Sequence, residues 1–211
     1  MTYPITKIQR VLSEDHQSRL INMRMFDMTD DAFFDFCQAN DHLKLERNPD
    51  GTILFMELTG GISGENNTEI TTDLNIWKRR NGGHVYDSST GFRLPDGSVR
   101  SPDAAWVSEE KYSKISEADR KKHLPVAPEF VVELMRNAAQ SESDILREAK
   151  NKMLDYIENG ILLGWLINPK TEKVYIYRAD GTISKVENFS QKLSGEDVLK
   201  DFEFDLSLLK K

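Results

Sequence analysis

The sequence predicts a mixed α/β domain, a β-sheet of mixed strand direction flanked by helices. Three observations predict it. Helix-periodic and strand-like segments follow one another in the order helix, hairpin, helix, several strands, helix, strand, helix, strand, hairpin. Residues 161–167 are a nearly unbroken apolar run, as a buried central strand requires. The 211 residues suit one domain, and 38% hydrophobic residues with ten Phe, six Tyr and three Trp can build a core without disulfide or metal staples.

Residues 1–28 are mixed in character and read as an N-terminal extension to a single domain over 29–211; within the extension, 21–28 alternates loosely enough for an edge strand. Thr29 followed by Asp30 and Asp31 marks a helix start, a hydroxyl cap with acids at the positive end of the dipole. Phe33, Phe34, Phe36 and Cys37 supply its apolar face, with Cys37 a buried small hydrophobe, and Asn40 is its stop. Strands over 42–46 and 52–58 flank Asn48-Pro49-Asp50-Gly51, a turn sequence, and so form a hairpin. The glycine-rich residues 59–64 read as a flexible connector; they lack the lysine of a phosphate-binding P-loop. A helix over 65–80 follows, with Ile70, Leu74 and Trp77 on one face and Asn81-Gly82-Gly83 as its stop. Strands are expected over 85–87, 92–94 and 99–107, the last two joined at Pro95-Asp96-Gly97. Residues 108–122 read as a polar helix and 130–135 as an apolar strand. Residues 141–159 are the best helix in the chain, with Met153, Tyr156 and Ile157 apolar and Gly160 just beyond its end. Strands over 161–167, 174–177 and 183–186 follow, joined by Asn168-Pro169 and Asp180-Gly181 turns, and 194–209 is a short tail that could close with one helical turn.

Composition excludes several classes. A single cysteine, Cys37, cannot form an internal disulfide, which points to a reducing compartment, and residues 1–10 lack a signal-peptide core. A cytoplasmic location is therefore expected. No apolar run approaches the ~20 residues of a membrane span. With 28 basic and 35 acidic side chains the net charge is −7, which argues against coating nucleic acid by bulk charge but leaves room for a local basic groove. Lys78-Arg79-Arg80 and Lys121-Lys122 are the candidate patches; each reads equally well as a solvated helix end.

Chemistry is carried by acids. The four histidines, His16, His42, His84 and His123, lie far apart with no ligand spacing, and no dinucleotide, P-loop or nucleophile-elbow motif occurs. Glu133 sits inside Phe130-Val131-Val132-Glu133-Leu134-Met135, where an unpaired carboxylate faces a large desolvation cost. Asp103 sits in Val99-Arg100-Ser101-Pro102-Asp103-Ala104-Ala105-Trp106-Val107, where Pro-Asp interrupts a second apolar strand. Alone, Asp103 is a turn or bulge residue, and Glu133 reads equally well as an outward-facing strand residue or as a functional one. Together they suggest oxygen ligands for a hard divalent cation such as Mg²⁺. In the helix after Glu133, Lys150 and Lys152 both border the face marked by Met153 and Tyr156, on opposite edges, so helical geometry does not choose between them. Lys152 also lies four residues after Glu148, the spacing of an ordinary surface ion pair.

Taken in order, several blocks resemble one family. They are Ser101-Pro102-Asp103-Ala104-Ala105-Trp106, Pro128-Glu129-Phe130-Val131-Val132-Glu133-Leu134, Lys152-Met153-Leu154-Asp155-Tyr156-Ile157-Glu158-Asn159-Gly160 and Gly164-Trp165-Leu166-Ile167-Asn168-Pro169. Leu45-Glu46-Arg47 with Asp50-Gly51, and residues 87–95, join them. The set is similar to the Uma family of the PD-(D/E)XK nuclease superfamily, from about Thr29 to near the C-terminus. The resemblance implies a restriction-endonuclease-like core. It implies Asp103 and Glu133 as metal ligands, Glu46 as a further acid of the site, and an active lysine moved from the strand, where Met135 stands, to the helix at Lys152. The link after Glu133, Arg136-Asn137-Ala138-Ala139-Gln140, departs from the family's Ser-Pro pattern and is a few residues longer, which keeps Lys150 as a rival.

The expectation is a Mg²⁺-dependent (or Mn²⁺-dependent) endonuclease acting on DNA phosphodiesters, with a homodimer, supported by the extension, as the candidate assembly. Asp103 and Glu133 would hold the cation, Glu46 would assist as ligand or base, and Lys152 would orient water. A lysine in that role is not a ligand, so its removal is expected to leave the fold nearly intact. The alternative is a catalytically silent nucleic-acid-binding or interaction protein on the same fold.

Overall fold

Proline cannot donate to a β-ladder and fixes its own φ, and at Pro102 the chain leaves one sheet for another. The computed structural model describes residues 20–22, 28–56, 59–135 and 142–210. Its elements in order are β1 (Leu20–Asn22), α1 (Asp30–Ala39), β2 (Lys44–Arg47), β3 (Thr52–Met56), α2 (Gly61–Asn81), β4 (His84–Asp87), β5 (Phe92–Arg93), β6 (Val99–Arg100), β7 (Ala104–Val107), α3 (Glu109–Ser113), β8 (Phe130–Leu134), α4 (Glu142–Glu158), β9 (Leu163–Asn168), β10 (Lys173–Arg178), β11 (Ile183–Val186), β12 (Lys192–Ser194) and β13 (Glu203–Asp205). The fold is the mixed α/β class that the sequence predicts.

One sheet has the order β1-β3-β2-β6-β5 and the other β11-β10-β9-β8-β7-β4. In the second sheet β8 and β9 pair in parallel, with Val132 opposite Trp165, and the remaining neighbours are antiparallel. Strand alternation divides its two faces. Ala104, Trp106, Phe130, Val132, Leu134 and Trp165 pack with Ile70 and Leu74 of α2. Ala105, Val107, Val131 and Leu166 pack with Met153 and Tyr156 of α4. Glu133 shares the parity of Val131 and so belongs to the α4 face. The first sheet buries Leu45, Ile53 and Val99 against Phe33 and Phe36 of α1.

Most local expectations appear in place. Thr29 caps α1, its hydroxyl accepting from the Ala32 N–H at 3.2 Å. Gly51, at φ +83°, closes the β2–β3 hairpin, as the Asp-Gly turn requires. Leu20–Asn22 is an edge strand, slightly earlier than expected; the remainder of the extension, the end of the 52–58 strand and the link after Met135 lie outside the described residues.

Four expectations are corrected. The strand expected over 99–107 is two strands in two sheets, β6 and β7, divided at Ser101-Pro102-Asp103. The glycines read as a connector begin a helix: α2 starts at Gly61 with Gly60 as its cap, because adding a turn to an existing long helix gains one bond per ordered residue and avoids a new nucleation. The polar helix expected over 108–122 shrinks to α3 and a 3-10 turn at Asp119–Lys121; α3 has no buried residue, so no packing sustains a longer helix. The tail carries the β12–β13 hairpin before its final turn at Leu206–Leu208, and its Leu193, Leu199, Phe202, Phe204 and Leu206 complete the α2-side core. Cys37 is half-buried beside the α1 core, and burial pushes its thiol up to about 12. No helix among the described residues is long and apolar enough to cross a membrane.

Candidate active site

Glu46 of β2, Asp103 of the link before β7 and Glu133 of β8 meet where the two sheets adjoin. On β2, Leu45 turns to the α1 core, so alternation sends Glu46 the other way, toward α4. Its side chain is 2% exposed. Glu46 Oε1 accepts from the Ser101 N–H at 2.9 Å and from Lys152 Nζ at 2.9 Å, and Arg100 Nη1 lies 3.9 Å from Oε2. Burial alone would raise the Glu46 carboxyl. Lys152, Arg100 and the Ser101 amide together outweigh burial and hold it below its ordinary range.

Asp103 follows from the sheet change. The β7–β8 register pairs Ala104 with Val132, so one more step sets Asp103 across from Glu133, just past the end of the ladder. There its Oδ2 accepts from the Leu134 N–H at 2.8 Å, and Oδ1 accepts from Asn67 Nδ2 of α2 at 3.3 Å. The carboxylate thus meets a backbone donor at the point where proline has interrupted the strand.

Lys152 of α4 closes the cluster. Its Nζ lies 2.8 Å from Glu133 Oε1 and 2.9 Å from Glu46 Oε1. Tyr156, one turn later on the same helical face, donates its hydroxyl to the same Glu133 Oε1 at 2.8 Å. Burial, Asp103 and Glu46 raise the Glu133 carboxyl, and Lys152 only partly offsets them. Burial would lower the Lys152 ammonium, but Glu133 and Glu46 more than reverse that, so it stays charged. Burial and the same two acids raise the Tyr156 phenol far above its ordinary value, so it remains a donor. Lys152 and Glu133 keep 18% and 14% exposure, enough for solvent or a substrate to reach them.

The four residues expected at the site, Glu46, Asp103, Glu133 and Lys152, are therefore neighbours. The rival lysine is not among them: Lys150 Nζ sits 4.4 Å from the centre of the Tyr175 ring on β10. The basic runs lie elsewhere. Lys121 pairs with Glu117 and Lys122 with Asp31. Lys78, Arg79 and Arg80 occupy the last turn of α2, about 18 Å along the helix from Asn67 at its ~1.5 Å rise per residue.

Three participants were not singled out from sequence. Tyr156 reads there only as core, and Asn67 is one polar residue in a polar stretch. Arg100 did leave a signal, since a base in the strand beside Val99 breaks the same rule as Glu133. Its Nη1 donates to the Arg47 carbonyl at 3.0 Å and its Nη2 to Asn48 Oδ1 at 2.8 Å, which anchors the guanidinium behind Glu46.

The donors suit one kind of cation. Among the described residues no group of three or more His, Cys, Asp or Glu side chains is arranged to hold a metal, so a closed protein cage, as for structural zinc, is not built here. Asp103 and Glu133 offer carboxylate oxygens, the donor type that hard divalent cations take.

Comparison with known proteins agrees with this architecture. No curated protein matches the chain. A crystal structure of a "putative nuclease belonging to DUF820" from Anabaena variabilis ATCC 29413 superposes with a TM-score of 0.63 at 15% identity, covering 78% of this chain and 88% of that one. That likeness establishes the shared fold. The model of the Uma2 family, described as "Putative restriction endonuclease", matches residues 30–207. Since that match takes in every strand but β1 and every residue of the acid–lysine cluster, the chain belongs to the Uma2 family.

Proposed function

We propose that this protein is a Mg²⁺-dependent endonuclease that hydrolyses phosphodiester bonds of DNA, with Mn²⁺ able to replace Mg²⁺. The observation that carries the reading is the ammonium of Lys152 held between Glu46 and Glu133 at 2.9 and 2.8 Å, with Asp103 across from Glu133 at the open end of the ladder. Family membership supports nucleic acid as the substrate class.

Asp103 and Glu133 would hold the cation through carboxylate oxygens. When bound, it would supply Lewis-acid stabilisation of phosphate charge and lower the pKa of an attacking water. The remaining work falls to the chain. Lys152 is charged at every working pH, so it cannot serve as a base; it donates hydrogen bonds that orient water and offset charge building on the phosphate oxygens. Glu46 is ionised and nearly fully buried, and it fixes the direction of the ammonium. Arg100 and Ser101 hold Glu46 in turn. Burial and its acidic neighbours raise the Glu133 carboxyl, and it lies within reach of solvent, so it is suited to taking a proton from water as well as to binding the cation.

The test is cleavage of supercoiled plasmid and of labelled oligonucleotides with Mg²⁺ or Mn²⁺, beside Glu133→Ala. Metal-dependent nicking that Glu133→Ala abolishes is expected. Metal binding with no cleavage of DNA or RNA would instead favour a catalytically silent module.

A further inference from the structure

Neighbouring asparagines on α2 are treated very differently. Asn66 is 1% exposed and fully used: its Nδ2 donates to the Lys210 carbonyl at 3.1 Å, and its Oδ1 accepts from the Lys210 N–H at 2.9 Å. That pair ties the C-terminal segment to the helix. Asn67 is satisfied at one end only. Its Nδ2 donates to Asp103 Oδ1 at 3.3 Å. A carboxylate can only accept, so Asp103 fixes which way the amide lies, with the carbonyl oxygen turned elsewhere. That Oδ1 is buried and, among the described residues, has no hydrogen-bond partner.

An orphaned buried acceptor is destabilising, and its complement is a donor or a cation. Asn67 is held firmly, because Ile70 and Leu74, one and two turns further along α2, are buried at 1% and 0% exposure. The orphan oxygen therefore has a fixed place, next to the acid proposed to bind the cation. We infer that Asn67 is a positioning residue of the metal site: its Oδ1 accepts a hydrogen bond from the hydration shell of a divalent cation held by Asp103, while its Nδ2 orients the Asp103 carboxylate. This rests on the metal-site reading above. It assigns the site a neutral oxygen from α2, the helix on the sheet face opposite α4.

The experiment is Mn²⁺ binding to the full chain without DNA, read by loss of the free-ion electron paramagnetic resonance signal, alongside urea unfolding in EDTA. The variants are Asn67→Leu, Asn67→Asp and Asp103→Asn. Asn67→Leu should weaken Mn²⁺ binding about 10–100-fold, the usual effect of losing an outer-shell partner, with metal-free stability changed little, because the relief of the orphan acceptor offsets the loss of the long 3.3 Å donor to Asp103. Asn67→Asp keeps an oxygen there and should retain Mn²⁺ binding better than Asn67→Leu. A purely structural role predicts the reverse pattern: lowered metal-free stability in Asn67→Leu with Mn²⁺ affinity unchanged, and that result overturns the inference. If Asp103→Asn abolishes binding and Asn67→Leu does not weaken it, Asn67 alone is excluded. If the unsubstituted protein fails to bind Mn²⁺, the metal-site reading falls, and this inference with it.

Discussion

Replacing Lys152 with methionine keeps the length and apolar stem of the side chain and removes only the ammonium. Two carboxylates then lose a partner at 2.9 and 2.8 Å, Glu46 at 2% exposure and Glu133 at 14%. Breaking a buried ion pair from one side costs about 3–5 kcal/mol, because the remaining charge is stranded. The lower end applies here. Glu46 retains the Ser101 N–H and the more distant Arg100, and Glu133 can take up a proton. A loss of about 3 kcal/mol corresponds to about 6–12 °C in Tm for a chain of this size. This revises the sequence expectation that removing the lysine would spare the fold. The loss should also depend on pH. Glu46 has a depressed pKa in the folded protein, so its contribution is present above the ordinary carboxylate range and lost as pH falls through its folded value. Lys152→Met removes most of that contribution, and the gap between the two proteins should therefore be widest at neutral pH and close toward pH 3–4, the usual carboxylate range. Urea unfolding of both proteins in EDTA from about pH 2 to 8, a range that spans the carboxylate titration, measures it, and Lys152→Met/Glu133→Gln should recover part of the loss. A destabilisation below about 1 kcal/mol at neutral pH, the scale of an exposed pair, or one constant across pH, would refute the clamp as an energetic unit.

Glu133→Gln should raise the Tm of the metal-free protein at neutral pH while abolishing cleavage: its folded pKa is raised, so its contribution is favourable below the unfolded value and is lost as pH rises through the folded one, and the gain should vanish at acid pH. Mg²⁺ or Mn²⁺ at a hundredfold excess over its Kd should stabilise by ~2.7 kcal/mol, which scanning fluorimetry reads as about 5–11 °C; an unchanged melting curve across a wide titration would count against the site. Among the described residues the Lys150 ammonium lies against the Tyr175 ring and away from the acids, so in Lys150→Ala plasmid nicking should persist and stability should fall by no more than about 1 kcal/mol.

The sequence by itself determined what depends on neighbours in the chain. Thr29 before two acids starts α1, Asp50-Gly51 turns the first hairpin, and the unbroken apolar run ending at Ile167 becomes β9, buried along its whole length. It also marked Asp103 and Glu133, because a carboxylate in an apolar strand is costly wherever that strand lies. The choice between Lys150 and Lys152 was not available locally. Both border the same helical face, and only the docking of α4 across the sheet sends one to the acids and the other to Tyr175. The division of residues 99–107 between two sheets was equally hidden, since Pro102 announces a break but not where the chain goes next. Asn67, Arg100 and Tyr156 gained their roles the same way. Their side chains are ordinary in sequence, and each matters through a partner 23 to 54 positions away in the chain, at Asp103, Glu46 or Glu133. Covalent spacing dictates a helix cap or a turn, whereas the convergence of four side chains from β2, β7's approach, β8 and α4 is decided by burial of the two core faces that bring those elements together.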